Sequence, residues 1–208
     1  MPRITQIKAQ KKPGRFNIFI EGKFSLALPA EVVVRENLKT GQSVSSEEIQ
    51  QLIKENEFQV SLDKTFKFIS YRPRSKREVL VFLKKKQLGE QTEAMILEKL
   101  EALEMIKDLD FAHWWVEQRK TFRPKSARLL KLELRQKGIR REIIDQVLAP
   151  ISTKDEFVLA ERVLRKKEAQ LSGLSKEEFK KKAFGFLLRR GFSYEVIGKA
   201  IEKKLAKE

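Results

Sequence analysis

The sequence predicts a mainly α protein: tandem three-helix repeats forming an elongated curved array, with a small N-terminal β-hairpin or strand extension. Three observations predict it. Leu83, Leu134 and Leu187 hold matching places in a pattern of apolar helix, basic end, turn and second apolar helix. They lie about 51 to 53 residues apart, a period that marks a helical array. Capping-box starts recur at Ser45, Ser75 and Ser175, each with a glutamate three residues on. Residues 3–28, by contrast, alternate apolar and polar positions with the period of strands.

Taken in order, residues 1–57 form the β-containing extension with a short helix. Residues 58–108, 109–152 and 153–208 form helical repeats one, two and three. In the extension, Ile4, Ile7 and Ala9 precede a Lys11–Gly14 turn; Phe16, Ile18 and Ile20 alternate in the next strand, and Phe24, Leu26 and Leu28 in the one after Glu21-Gly22. The extension reads as a cap on the first repeat, with a partner-binding module as the alternative. Pro29 closes the sheet segment. The stretch from Glu31 to Asn37 is open to two readings, strand from Val32, Val33 and Val34 or short helix. A capping box at Ser45 then starts a helix bearing Ile49, Leu52 and Ile53, and Phe58, Leu62, Phe66 and Ile69 fall on one helical face that stops before Pro73.

The first repeat turns on Tyr71-Arg72-Pro73-Arg74-Ser75-Lys76-Arg77-Glu78. Ser75 and Glu78 are placed to form a capping box, while the cations of the same turn oppose the helix dipole. A sequence that accepts this is set to meet an anionic partner; a solvated basic turn is the plain alternative. Gln87-Leu88 stands where the later repeats have Gly138-Ile139 and Gly191-Phe192, and the following helix is expected about three residues late. At the junction with the second repeat, Asp108 or Asp110 is expected to cap a helix starting near Phe111. Trp115 is assigned to the core, with Trp114 partly exposed and able either to pack or to stack on a base. Arg119, Lys120, Arg123, Lys125 and Arg128 repeat the basic opening. In the third repeat, Thr153–Glu156 and Leu174–Glu178 read as helix starts, followed by Phe179, Ala183, Phe184 and Leu187 and by the lysine run at 180–182.

Composition narrows the function. Apolar residues make up 41% of 208, including 14 Phe, so a sizeable core can form. The net charge is +16, of which residues 1–70 carry only about +3. Such a bias favours nucleic acid, an anionic surface or an acidic protein groove as partner. The chain has no cysteine and one histidine, His113. Thiolate metal sites and disulfides are therefore excluded, and no Ser-His-Asp constellation is apparent. No phosphate-loop spacing, secretory signal or membrane-spanning run is present. The sequence reads as a non-enzymatic, cytoplasmic protein without cofactor or metal, and nothing points beyond a monomer.

Arg72-Pro73-Arg74-Ser75, Lys137-Gly138-Ile139 and Asp108-Leu109-Asp110-Phe111-Ala112, with Trp115-Val116 and Arg119 behind them, resemble the RecX family of bacterial regulators of the RecA recombinase. The resemblance spans roughly residues 58 to 205. Ile4, Arg15-Phe16-Asn17-Ile18 and Glu21-Gly22-Lys23-Phe24 are similar to the β-containing extension of some members. The resemblance implies a protein that inserts along the RecA–single-stranded-DNA filament and mainly inhibits ATP turnover, strand exchange and coprotease activity, and so affects DNA repair and the SOS response. The other reading is a RecA-independent protein that binds single- or double-stranded DNA through phosphates. In either case the candidate contacts are Arg72, Arg74, Arg77, Arg119, Arg123, Lys125 and Arg128, at the equivalent openings of repeats one and two.

Overall fold

The computed structural model describes residues 1–11 and 13–206, so Lys12 of the Lys11–Gly14 turn lies outside the described residues. Two compact units result: Met1–Phe68 with Phe82–Glu98, and Ile69–Val81 with Lys99–Glu208. None of the described helices is long and apolar enough to cross a membrane.

In the first unit, β1 (Ile4–Ala9), β2 (Arg15–Ile20) and β3 (Lys23–Pro29) form an antiparallel sheet in sequence order. The hairpin between β2 and β3 turns on Glu21 and Gly22, both at positive φ (49° and 75°), which matches the twist of the flanking strands. Ile4, Ile18, Leu26 and Leu28 are buried, packed with Val32, Leu38, Val44 and Leu52. Phe24 does not join them. The β2–β3 register shifts between Ile18 and Phe19, so Phe24 pairs with Phe19 and is 58% exposed, with the two ring centroids 6.0 Å apart. The valine-rich stretch folds as helix α1 (Ala30–Arg35), starting at Pro29 and burying only Val32. The capping box at Ser45 forms as the spacing predicts: Ser45 N–H donates to Glu48 Oε2 at 2.6 Å, and Glu48 N–H to Ser45 Oγ at 3.1 Å. It opens a single 25-residue helix, α2 (Ser46–Ser70), which runs unbroken through residues 57 and 58. Its buried line includes Ser61 and Thr65 beside Leu62, with the Thr65 hydroxyl donating to the Ser61 carbonyl at 2.7 Å.

Helices α3 (Lys76–Lys84) and α4 (Glu90–Ala102) are shared between the two units; Val79, Leu83, Ile96 and Leu100 on them are fully buried. The second unit continues with α5 (Asp108–Phe122), α6 (Ala127–Gln136) and α7 (Arg141–Leu148), whose core is Phe111, Ala112, Val116, Leu130, Leu134, Ile139, Ile144, Val147 and Leu148. Next come α8 (Thr153–Lys166), the single turn α9 (Glu168–Leu171), α10 (Lys176–Leu188) and α11 (Tyr194–Leu205), closed around Leu159, Val163, Phe179, Ala183, Leu187, Phe192 and Ile197. Each large side chain buried this way contributes roughly 1.5–3 kcal/mol. Phe184 turns outward and stacks on Tyr194 at 5.7 Å. The cap of α8 is Ser152 with Asp155, one residue before the predicted start, and Ser175 with Glu178 caps α10 as predicted.

The turn residues Gln87, Gly138 and Gly191 have φ of 55°, 82° and 81°. The next helix begins three residues later in each case, so the expected delay after Gln87 is absent. Glycine is required only where the turn is docked. A Cβ at Gly138 would lie 2.7 Å from Arg77 Cβ, and one at Gly191 would lie 2.5 Å from Leu129 Cγ, whereas Gln87 is exposed.

The same two joints use a second device. The Ser75 hydroxyl donates to the Lys137 carbonyl at 2.8 Å, and Ser126 N–H to the Arg190 carbonyl at 3.0 Å. Lys76 N–H, the first of α3, donates to Asp108 Oδ1 at 2.9 Å, and Ala127 N–H, the first of α6, to Glu156 Oε1 at 2.7 Å. Asp108 therefore does not cap its own helix, which starts at residue 108 itself; it caps α3 from the first turn of α5. One carboxylate thus satisfies an orphan helix donor and fixes the spacing of two repeats.

Candidate partner-binding surface

Both Arg-Pro-x-Ser motifs work the same way locally. Pro73 and Pro124 end the preceding helix, and Ser75 and Ser126 cap the next one through Glu78 N–H at 3.2 Å and Leu129 N–H at 3.3 Å. Glu78 does not complete the predicted capping box. Its carboxylate turns to Arg72, which grips both oxygens at 2.9 and 3.1 Å, and to Lys137 Nζ at 2.6 Å. Arg74 Nη1 lies 3.9 Å from the same carboxylate.

Glu133 organises an equivalent cluster. It accepts from Arg119 Nε at 2.8 Å, from the Trp115 indole N–H at 2.9 Å, and from Lys125. Trp115 joins the two clusters: Arg119 Cζ is 4.2 Å and Lys137 Nζ 4.9 Å from its ring centre, while Arg72 lies over Trp114 at 5.3 Å. Trp115 is therefore half-buried in a polar network rather than enclosed in the core, where its neighbours Phe111, Ala112 and Val116 sit. Trp114 packs on the edge of that core.

The electrostatics follow from the geometry. Burial by itself raises the Glu78 and Glu133 carboxyls, but hydrogen bonds from Arg72 and Lys137, and from Lys125, Arg119 and Trp115, outweigh it and hold both below the usual carboxylate range. Burial, then the Arg72 charge, lowers the Arg74 guanidinium, with Glu78 acting in the opposite sense. Five cations surround two carboxylates, so the network remains positive.

The seven predicted residues divide accordingly. Arg72, Arg74, Arg119 and Lys125 are half-buried and committed to Glu78 or Glu133. Arg77, Arg123 and Arg128 are exposed. Sequence reasoning missed Lys137, Glu78 and Glu133 as network members. A signal was available: Glu133 is the one carboxylate between Arg119 and Arg140, and Glu78 the one between Arg72 and Lys86. Two other cations are also structural: Arg162 and Lys166 donate to the carbonyls of Lys120, Thr121 and Phe122, the last turn of α5. His113 is exposed, and among the described residues no group of three or more His, Asp or Glu side chains is arranged to hold a metal ion.

Comparison with known proteins agrees with this architecture. Residues 2–45 match the regulatory protein RecX N-terminal domain, residues 108–148 the RecX second three-helix domain, and residues 154–201 the RecX third three-helix domain. The chain is 33% identical over 204 residues to "Regulatory protein RecX" of Bacillus subtilis strain 168, covering 98% of this chain and 77% of that one. It is 31% identical, over 98% of this chain and 78% of the other, to the protein of the same name in Bacillus velezensis. A crystal structure of regulatory protein RecX shares the fold with a TM-score of 0.69, covering 97% of this chain and all of that one at 24% identity. The RecX structure from Lactobacillus salivarius superposes with a TM-score of 0.59, over 70% of this chain and 95% of that chain, at 25% identity. Sheet, three-helix repeats and sequence agree over nearly the whole length, and the chain belongs to the RecX family of regulatory proteins.

Proposed function

We propose that this chain binds the RecA–single-stranded-DNA filament in the cytoplasm and mainly inhibits RecA's ATPase, strand-exchange and coprotease activities, thereby restraining DNA repair and the SOS response. The observation that carries the reading is family membership over 98% of the chain. The exposed Arg77, Arg123 and Arg128 support it, because unneutralised surface cations steer a protein to a long anionic assembly. Repeated helical units suit a partner that itself repeats. Arg72, Arg74, Arg119 and Lys125 act on this reading from within: they hold Glu78 and Glu133 in place around the tryptophans of the second repeat and add to the field that the exposed arginines present.

The test is RecA ATPase on single-stranded DNA, titrated with this protein at substoichiometric ratios and at two ionic strengths. Inhibition well below saturation of the DNA, weakening as salt rises, is expected. Inhibition that appears only as the strand becomes coated would support a DNA-binding protein that competes with RecA for lattice and would sink the filament reading.

A further inference from the structure

Several cations of the second unit have no opposing carboxylate among the described residues, and one group of them is clustered. Arg123, Arg189, Arg190, Lys181 and Lys182 make no ion pair with a carboxylate within 4.0 Å among the described residues. They are also neighbours. The Arg190 guanidinium donates to the Pro124 carbonyl at 3.2 Å, which brings it beside Arg123 across the joint between repeats two and three. Burial, then the charges of Arg123 and Arg189, lowers Arg190. Like charges held this close without a counter-ion are costly, and such an arrangement is the electrostatic signature of an anion-binding surface.

The strip leads into a cleft. Lys181, Lys182, Gly185, Phe186 and Arg189 line an open depression of about 450 Å³ along one face of α10, within the roughly 300–1,000 Å³ typical of ligand clefts. The one carboxylate at its rim, Glu178, already accepts from the Ser175 N–H and hydroxyl, and these bonds, with the Lys182 charge, hold it low. Phe186 is the aromatic surface of the cleft, with Arg189 Cζ 5.3 Å and Lys167 Nζ 5.4 Å from its ring centre. Gly185 sits mid-helix, where glycine is unfavourable relative to alanine. A Cβ there would come within 3.3 Å of Arg189 Nη1, so the glycine lets the guanidinium fold back over the helix toward the ring.

We infer that the strip running from Arg123 through Arg190 and Arg189 into the Phe186 cleft is a binding site for the phosphodiester backbone of single-stranded nucleic acid, with a nucleobase against Phe186. Cations in a row along an aromatic platform are the combination that tracks an unpaired strand without reading its sequence. Duplex DNA presents no free base face to the ring. Apart from Arg123, the site lies in the third repeat, beyond the openings where the sequence places the contacts, and it needs no RecA.

The test uses the full chain without RecA and a fluorescently labelled oligo(dT), read by anisotropy over a range of salt. Lys181→Ala/Lys182→Ala is expected to weaken binding on the order of tenfold and to make the log–log salt dependence shallower by roughly 0.7 per lost phosphate contact. Phe186→Leu, which keeps an apolar side chain, is expected to weaken binding several-fold with an unchanged salt slope. Lys54→Ala/Lys64→Ala, which removes the same charge from α2, is expected to leave affinity near wild type. Equal losses in the two lysine pairs, or wild-type binding by Lys181→Ala/Lys182→Ala, would overturn the site. Free dTMP should compete far less well than unlabelled oligo(dT) at equal phosphate; equal competition would mean a site for free nucleotide and would also overturn the proposal. Inhibition of RecA that survives a failure of oligo(dT) binding would leave the filament reading in place and remove only this one.

Discussion

Gly191 lies directly against Ser126: a Cβ on the glycine would fall 2.6 Å from the serine Oγ and 2.5 Å from Leu129 Cγ. The turn of one repeat is thereby seated on the helix cap of the one before it. Gly191→Ala must accept both a left-handed φ and this clash, with a loss of about 2–4 kcal/mol expected in urea unfolding. Gln87→Gly, at the equivalent but undocked turn, should change stability by less than about 1 kcal/mol. Similar losses at both positions would mean that docking is not what selects glycine.

Glu133 neutralises Arg119 and Lys125 while accepting the Trp115 indole N–H. Glu133→Gln should cost about 2–3 kcal/mol, since two half-buried cations lose their counter-charge. Trp115 fluorescence should shift as its hydrogen bond weakens. A variant as stable as wild type would show the network to be a surface ornament.

The acid limb of stability should carry the mark of Glu78 and Glu133. Both are held below their ordinary range in the folded protein, so the unfolded chain binds more protons in that window and stability rises with pH there. Their contribution is complete above the unfolded carboxylate value of about 4.3 and is lost as pH falls through the lower folded values. Unfolding free energy measured against pH should fall less steeply below about 4.3 in Glu133→Gln than in wild type. Parallel curves would assign the acid loss to other carboxylates.

The exposed and committed arginines should respond differently to charge reversal. Arg77→Glu/Arg123→Glu/Arg128→Glu is expected to weaken filament binding by an order of magnitude or more and to flatten its salt dependence, with little change in Tm. Arg74→Glu would set a second carboxylate beside Glu78 and should lower Tm whether or not a partner is present. Binding assays paired with thermal melts separate the two effects.

Asp108 reaches Lys76 N–H across the first joint. Asp108→Ala should cost about 1 kcal/mol, the usual value of a lost helix cap, and Glu156→Ala a similar amount at the second joint. Amide exchange at Lys76 and Ala127 should quicken in the respective variants. Unchanged exchange would show that the carboxylates lie near the helix ends without capping them.

The amino-acid sequence alone determined the helical periodicity, the strand alternation, the serine caps at Ser45 and Ser175, the repeat spacing and the family, because these depend on residues close together along the chain. Tertiary structure decided the rest. Asp108 caps α3 instead of its own helix, Glu78 leaves Ser75 for Arg72 and Lys137, Phe24 changes face at a register shift, and Arg123 meets Arg190. In each case the partner lies on another element, or a one-residue irregularity resets the pattern, and local spacing carries no record of either. For the cations the consequence is direct. Positive charge is visible in composition, but whether an arginine is neutralised or left open to a partner depends on which carboxylate the fold brings within about 3 Å of it.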